Sequence, residues 1–500
     1  MRKTYIFLAV LLLAGSAMLF GYWPGQAPSL FSDRKVKAPD GYELPYDVRQ
    51  YRFVEITPKM LDGVSDNLGF ARIKLFGKEE LTLEFEEREQ DDGEAKITYG
   101  SVVGIPNSQV LMSRFGEAMS ALVWLPDGRT HQIVYAGGNA HLLYEKDSRF
   151  QMKCEAVGIA TNNAALPTAI KDASGKEVPV AYQTVIACNL EGGSAAERMD
   201  ARQPSRGQHQ AGTAPSEAKG FGGSILSFMG DVQRWASKPR STQHANRKKN
   251  MSRVVGKDKV GVNAIDILVL FTDRAMNAAG GDAGARSRAG LLASHMRDSI
   301  ANSDVTNIRI NYTSARYTVE TAANNSMAAE LAVLTATDTI LALRDKVRAD
   351  LVTLLVSNTD PQVVGIAQVS GAYSVIQIGV AGTFFSSHEL GHNFGCLHGY
   401  NRVEIPPDPS INPPSGAAAF SSTNIPFPYG WNFTNNAGKY HTIMSYGWTG
   451  GSTQIPYFSN PDVYYQGGQT GMLTNSHPMG YGANNAMQIR NQAPITAKYK

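Results

Sequence analysis

The sequence predicts two folded units in series: an antiparallel β-rich domain, then an α/β (α+β) domain on a twisted mixed sheet with an active-site helix. Three observations predict this. Between about residues 45 and 145, apolar and polar residues alternate with period two, and turn chemistry separates the runs. From Asn263 onward, short continuous apolar runs alternate with segments of helical spacing. Residues 387–399 read S-H-E-L-G-H-N-F-G-C-L-H-G, a helix with two histidines on one face.

The chain has 500 residues, enough for two or three domains and a sizeable core. Its 43% apolar and 18% charged content is ordinary for a globular protein. A net charge of +3 gives no reason to expect nucleic acid as a partner, and no finger spacing of Cys and His occurs. Arg2 and Lys3 precede an apolar run from Tyr5 to Phe20. That pattern predicts a signal peptide over residues 1–27, with small residues at Ala14–Ala17 and Ala27 as cleavage points. The rival reading is an uncleaved anchor, but the run is shorter than the ~20 residues a spanning helix needs. The expectation is therefore a secreted or periplasmic protein with no stable membrane span after cleavage.

Within residues 28–188, strand candidates are Phe70–Phe76, Leu81–Glu86, Ala118–Leu125, Thr130–Tyr135 and His141–Tyr144. Asp91-Asp92-Gly93 and Pro126-Asp127-Gly128 supply turns. Residues 189–258 are rich in Gly, Ser, Ala, Gln, Arg and Lys, the composition of a flexible linker. Within it, Ile225–Trp235 has helical spacing, and Arg247-Lys248-Lys249 offers a basic site for proteolysis.

Residues 259–500 form the second unit. Ile265–Phe271 reads as a strand buried on both faces. Arg274–Asn302 reads as a helix interrupted by Gly280-Gly281, Ile308–Val319 as a strand, and Met327–Arg348 as a helix. Leu351–Val356, Val363–Val369 and Tyr373–Val380 are strands, with Ser370-Gly371 turning between the last two. Prolines at 406, 407, 409, 413 and 414 mark a long loop, and a helix from about Ala483 to Arg490 closes the chain.

The chemistry concentrates in residues 387–399. His388 and His392 lie one helical turn apart and can bind one ion. Gly395 lets the chain leave the helix, so that His398 can return as a third ligand. Three neutral imidazoles with an open position for water describe one catalytic Zn2+ rather than a closed structural site. Glu389 stands beside the first ligand, where it can act as general base. Nothing in the sequence specifies Ca2+ or an oligomeric state. The three cysteines are Cys154, Cys188 and Cys396. Cys154 and Cys188 can pair in an exported chain, or one can hold the zinc as an inhibitory thiolate. Neither flanking sequence matches a cysteine switch, which favours the disulfide and leaves Cys396 as a small buried filler.

The pattern H-E-x-x-H-x-x-G-x-x-H, followed by T-I-M-S-Y-G at 442–447, resembles the metzincin metallopeptidases. The resemblance implies that Met444 forms a methionine turn beneath the zinc. It also implies that Tyr446 is an extra ligand that swings away to stabilise the tetrahedral intermediate. Further segments, among them I-D-I-L-V-L-F-T-D-R-A, V-V-G-I-A-Q and I-P-Y-F-S-N-P-D-V, look like a bacterial reprolysin-like group that includes the peptidyl-Asp metalloendopeptidases. They spread over most of residues 263–494. By that resemblance 28–188 is propeptide-like, the chain is a zymogen, and the enzyme is a zinc metalloendopeptidase acting on proteins or peptides. Cleavage N-terminal to Asp would need a cationic group, for which Lys439, His441 and Arg490 are candidates. The substrate would add as a strand to an exposed edge near Val363–Val369. Two departures stand out: Gly399 replaces a common acidic residue, and Val364-Gly365-Ile366 lacks a cysteine. The alternative reading is a catalytically weak zinc-binding surface or adhesion protein.

Overall fold

A computed structural model describes residues 27–45, 47–58, 60, 69–90, 94–147, 153–157, 169–171, 177–179, 185–189, 262–317, 326–357, 363–399, 428–447, 451–472 and 482–499. The signal segment before Ala27, the linker after Asn189 and the proline-rich loop lie outside the described residues.

Eight strands form the first sheet: β1 (Val48–Val54), β2 (Phe70–Lys74), β3 (Glu80–Gln90), β4 (Lys96–Val102), β5 (Ile105–Phe115), β6 (Ala118–Trp124), β7 (Thr130–Gly137) and β8 (Ala140–Lys146). Neighbours pair antiparallel in the order β1-β8-β7-β6-β5-β4-β3-β2, as hairpin alternation predicts. Alternation along β5 and β6 sorts the side chains into two cores. Val110, Met112, Ala121 and Val123 pack with Leu30, Ile73 and Leu83 on one face. Leu111, Leu122 and Trp124 pack on the other, against the C-terminal half. Burial on both faces explains why Ala118–Leu125 reads as continuously apolar.

Strands β9 (Lys153–Val157), β10 (Ala169–Lys171), β11 (Glu177–Pro179) and β12 (Val185–Asn189) follow. Next come β13 (Asn263–Thr272), β14 (Ile308–Tyr317), β15 (Leu351–Val356), β16 (Val363–Gln368) and β17 (Tyr373–Gln377). The second sheet runs β14-β13-β15-β17-β16-β12-β9. Its β14, β13, β15 and β17 are parallel, while β16, β12 and β9 pair antiparallel, so the sheet is mixed.

The helices are α1 (Asp273–Ala278), α2 (Asp282–Asn302), α3 (Met327–Ala336), α4 (Asp338–Val347), α5 (Phe384–Asn393) and α6 (Asn485–Thr496). Gly280-Gly281 separates α1 from α2 as expected. The single helix predicted over Met327–Arg348 is two, because Thr337 adopts extended backbone. The strand predicted to reach Val380 stops at Gln377, and a 3-10 turn takes over Ile378–Val380. Short strands complete the fold: β18 (Asn432–Asn435) and β19 (Gly438–His441) form a hairpin with β20 (Thr453–Gln454) parallel to β19, and β21 (Tyr464–Tyr465) pairs with β22 (Gly468–Gln469). Among the described residues no helix is long and apolar enough to cross a membrane.

The edge expected near Val363–Val369 is covered. β16 is not an exposed edge: β12, from the N-terminal half, lies antiparallel along it, with Val185 opposite Gln368 and Cys188 opposite Gly365. β9 pairs outside β12 and brings Cys154 opposite Cys188. Strand partners this remote in sequence leave no local trace, which is why periodicity cannot find them.

Candidate metal centre and active site

The site begins with α5. Thr383 caps it, its side chain accepting from Phe385 N, and the helix presents His388 and His392 on one face. Past the helix, Gly395 takes φ +81°, and its N–H bonds His392 O at 2.7 Å. A Cβ there would meet Gln488 Nε2 at 2.5 Å and Ser370 Oγ at 2.6 Å, so the turn needs glycine. The turn returns His398 to the other two histidines, as the sequence pattern requires.

The three Nε2 atoms form a triangle with edges of 3.1 Å (His388–His392), 3.0 Å (His388–His398) and 3.0 Å (His392–His398). His388 Nδ1 lies 2.9 Å from Ile443 O, and His392 Nδ1 lies 2.8 Å from Cys396 O. A carbonyl only accepts, so both Nδ1 atoms carry the proton and both Nε2 atoms present lone pairs to each other. Facing lone pairs repel, and a cation between them removes the repulsion. A tetrahedral site with Zn–N bonds of ~2.0–2.1 Å separates ligand nitrogens by ~3.3–3.4 Å, within ~0.4 Å of this triangle. The donor set therefore fits zinc, with backbone carbonyls orienting two ligands. Burial holds His388 neutral, its pKa lowered to about 4, and pushes His392 well below the usual range. Both are ready to ligate at neutral pH.

Glu389 is fully buried, and neither carboxylate oxygen has a hydrogen-bond partner among the described residues. Burial raises its pKa well above the ordinary carboxylate value. A buried carboxyl without partners needs another source of stabilisation, which a nearby cation and water provide. It fits because the strand passing it carries glycine: a Cβ on Gly365 would lie 2.6 Å from Glu389 Oε1. Tyr446 places its hydroxyl 3.0 Å from His398 Nε2. Met444 is fully buried, with Sδ against the α5 backbone at Gly391. Its carbonyl accepts from Gly399 N at 3.1 Å. Ser445 Oγ occupies the space beside Gly399 where a Cβ would sit at 2.5 Å, which accounts for glycine at that position. Cys396 is buried and donates to Asn485 O at 3.7 Å; burial pushes its pKa up, so the thiol is inert filler.

A cavity of about 510 Å3 opens beside His388. Lys439 and His441 line it together with Phe385 and Tyr446. Arg490 does not: it sits on α6, with Nη2 donating to Asp304 O at 3.2 Å, which corrects its candidacy. Sequence reasoning missed three contributors. Gly365 had a signal, a glycine within a β-branched strand, which marks close approach. His295 had none; from α2, its Nδ1 lies 2.7 Å from Ser387 Oγ and ties that helix to α5. The turn Asp127–Thr130 and Lys146 also line the cavity, from the first sheet.

No known family's sequence profile matches the chain. Over 146 residues, 28% of the chain, it is 27% identical to a peptidyl-Asp metalloendopeptidase of Stenotrophomonas maltophilia (strain R551-3). The match spans 31% of that relative's length. Among solved structures, the chain is similar to one described as the structure of a chaperone-substrate complex. There the TM-score is 0.35 at 17% identity, covering 48% of this chain and 40% of that one. It is also similar to metalloproteinase-II from Bacteroides fragilis, with TM-score 0.31 at 9% identity, covering 67% and 83%.

Proposed function

We propose that the chain is an exported zinc metalloendopeptidase of metzincin type, made as a zymogen. The observation that carries this reading is the triangle of three histidine Nε2 atoms beside a buried, unpartnered carboxyl. His388, His392 and His398 would hold the ion, which supplies Lewis-acid polarisation and makes water acidic near neutral pH. Glu389 takes the proton from the attacking water as the C–O bond forms. It then delivers that proton to the leaving amine as the C–N bond breaks. Tyr446, with its hydroxyl at the edge of the triangle, donates to the developing oxyanion. Ser387 and His295 position the helix that carries Glu389.

The zymogen reading is supported by β12, which occupies the strand along which an extended peptide would pair. A preference for bonds N-terminal to Asp is supported by the similarity to a peptidyl-Asp metalloendopeptidase and by Lys439 at the cavity. A denatured-protein digest with cut sites unrelated to acidic residues would reject the preference. Export rests on the basic-then-apolar N-terminus. The test of the chemistry is Glu389→Gln: zinc content stays at one per chain while casein hydrolysis is lost. Unchanged hydrolysis by that variant would remove Glu389 from the mechanism.

A further inference from the structure

We propose that the eight-stranded N-terminal sheet is a permanent part of the enzyme. It stays bound to the C-terminal half after the chain is cut between residues 190 and 261, and forms one wall of the substrate cleft. The second clause rests on the peptidase reading; the first does not.

The contact between the halves has the character of a core. Helix α2 is buried along nearly its whole length, from Gly284 to Asn302. Its outer side faces β4, β5 and β6, where Ile97, Tyr99, Leu111, Leu122 and Trp124 share one apolar cluster with Leu291, Leu292 and Met296, all at 0–1% exposure. Gly290 lets the surfaces close: a Cβ there would lie 2.9 Å from Ala95 Cβ and would clash with Ser113 Oγ. Several polar groups within this contact are paired across it. Ser287 Oγ donates to Ser113 O at 2.9 Å, and Ala95 N donates to Tyr312 OH at 3.0 Å. The Glu94 carboxylate accepts from Thr313 Oγ1 and Ser314 N, both at 2.9 Å, and from Ser314 Oγ at 2.6 Å. A cover meant to be shed leaves a polar, wettable surface behind. Removing this sheet would instead expose the apolar side of α2 and orphan these groups.

The same sheet reaches the cavity beside His388. Trp124, the turn Asp127–Thr130 and Lys146 line one side, facing Phe385, Lys439 and Tyr446 on the other. The first sheet and the C-terminal half also touch beside the cavity. Lys146 Nζ lies 5.1 Å from the centre of the Phe385 ring, and the Trp124 and Tyr465 ring centres are 6.2 Å apart. Gly128 abuts Thr453. β9 and β12 differ in kind, because they join the second sheet at its edge through strand pairing to β16. A cut after Asn189 can therefore release that edge while the eight-stranded sheet stays in place.

The experiment uses the full chain with a site-specific protease sequence inserted between residues 190 and 261. After cutting, the two fragments are expected to co-elute in gel filtration at the mass of the uncut protein and to separate only in denaturant. Separation under native conditions, with a C-terminal fragment that keeps its activity, would overturn the proposal. The wall is tested with Asp127→Asn, which removes one charge from an exposed position on the turn and keeps an oxygen to accept from Arg129 N. The ratio of kcat/KM for two peptides differing only in a charge beside the scissile bond is expected to shift about tenfold, with Tm and zinc content unchanged. An unchanged ratio would remove the sheet from the cleft. A chain that binds zinc yet hydrolyses nothing, cut or uncut, would overturn the peptidase reading and the cleft wall with it. Co-elution would then uphold the bound sheet alone.

Discussion

Substituting Gly365 by alanine tests whether the carboxylate beside the metal site must stand where the structure has it. A Cβ at 365 would lie 2.6 Å from Glu389 Oε1 and 2.8 Å from both Cδ and Cγ. Non-bonded carbon contacts settle at ~3.5 Å or more, so the Glu389 side chain has to withdraw by roughly 0.7–0.9 Å. Displacing a reacting group by ~1 Å can lower the rate ~100-fold, and a general base contributes ~10²–10⁴ in all. Gly365→Ala is therefore expected to lower kcat about 100-fold. The overpacking should destabilise the fold by roughly 1–3 kcal/mol. The assay is steady-state hydrolysis of a quenched fluorescent peptide by protein of measured zinc content, with Tm by calorimetry. Zinc should remain at one per chain, since the three atoms nearest the added Cβ all belong to Glu389 and none to a histidine. Wild-type kcat in a folded, zinc-loaded variant would refute the reasoning, because it would mean that the carboxylate either does not act or need not be held.

Tyr446→Phe removes a hydroxyl 3.0 Å from His398 Nε2, and kcat is expected to fall ~10²-fold with KM nearly unchanged. A drop in zinc affinity without a drop in kcat would make the tyrosine a ligand only. Removing the metal with a chelator should lower Tm, and one equivalent of Zn2+ should restore it. At a free concentration of ~100 Kd the stabilisation is ~2.7 kcal/mol, readable by calorimetry. A metal-free chain that melts at the same temperature would contradict the facing lone pairs. Stability should also fall in acid. Burial, reinforced by Lys146, lowers the pKa of His295 to about 3, and burial lowers that of His141 to about 4. Both groups bind their proton more weakly folded than unfolded, so their contribution is full above ~6.5 and lost as pH falls from there toward the folded values. From pH 7 to 5 these two together remove at most about 4 kcal/mol, and His295→Gln should lessen the stability lost over that window by about 2 kcal/mol. A flat profile over that window would show the histidines are not held neutral.

What was legible in the sequence was whatever short-range geometry dictates. His388, His392, Gly395 and His398 lie within eleven residues, so one helix and one turn bring them together without help from the rest of the chain. Hairpin strands such as Ala118–Trp124 and Thr130–Gly137 were visible for the same reason: their partners are their neighbours. Illegible were the contacts that span the chain. The strand at Val363–Gln368 looked like an edge because its partner, Val185–Asn189, is far away in sequence and carries no pattern that names it. His295 pairs with Ser387 across 92 positions, and Glu94 meets Ser314 across 220. These distant contacts set how sheets and helices stand around the site, while the local ones bring the three histidines together. A site can therefore be readable as chemistry and unreadable as biology from one sequence. In this chain the division falls along α2: its inner side packs on the helix of the histidines, and its outer side on a sheet whose role had to be seen in three dimensions.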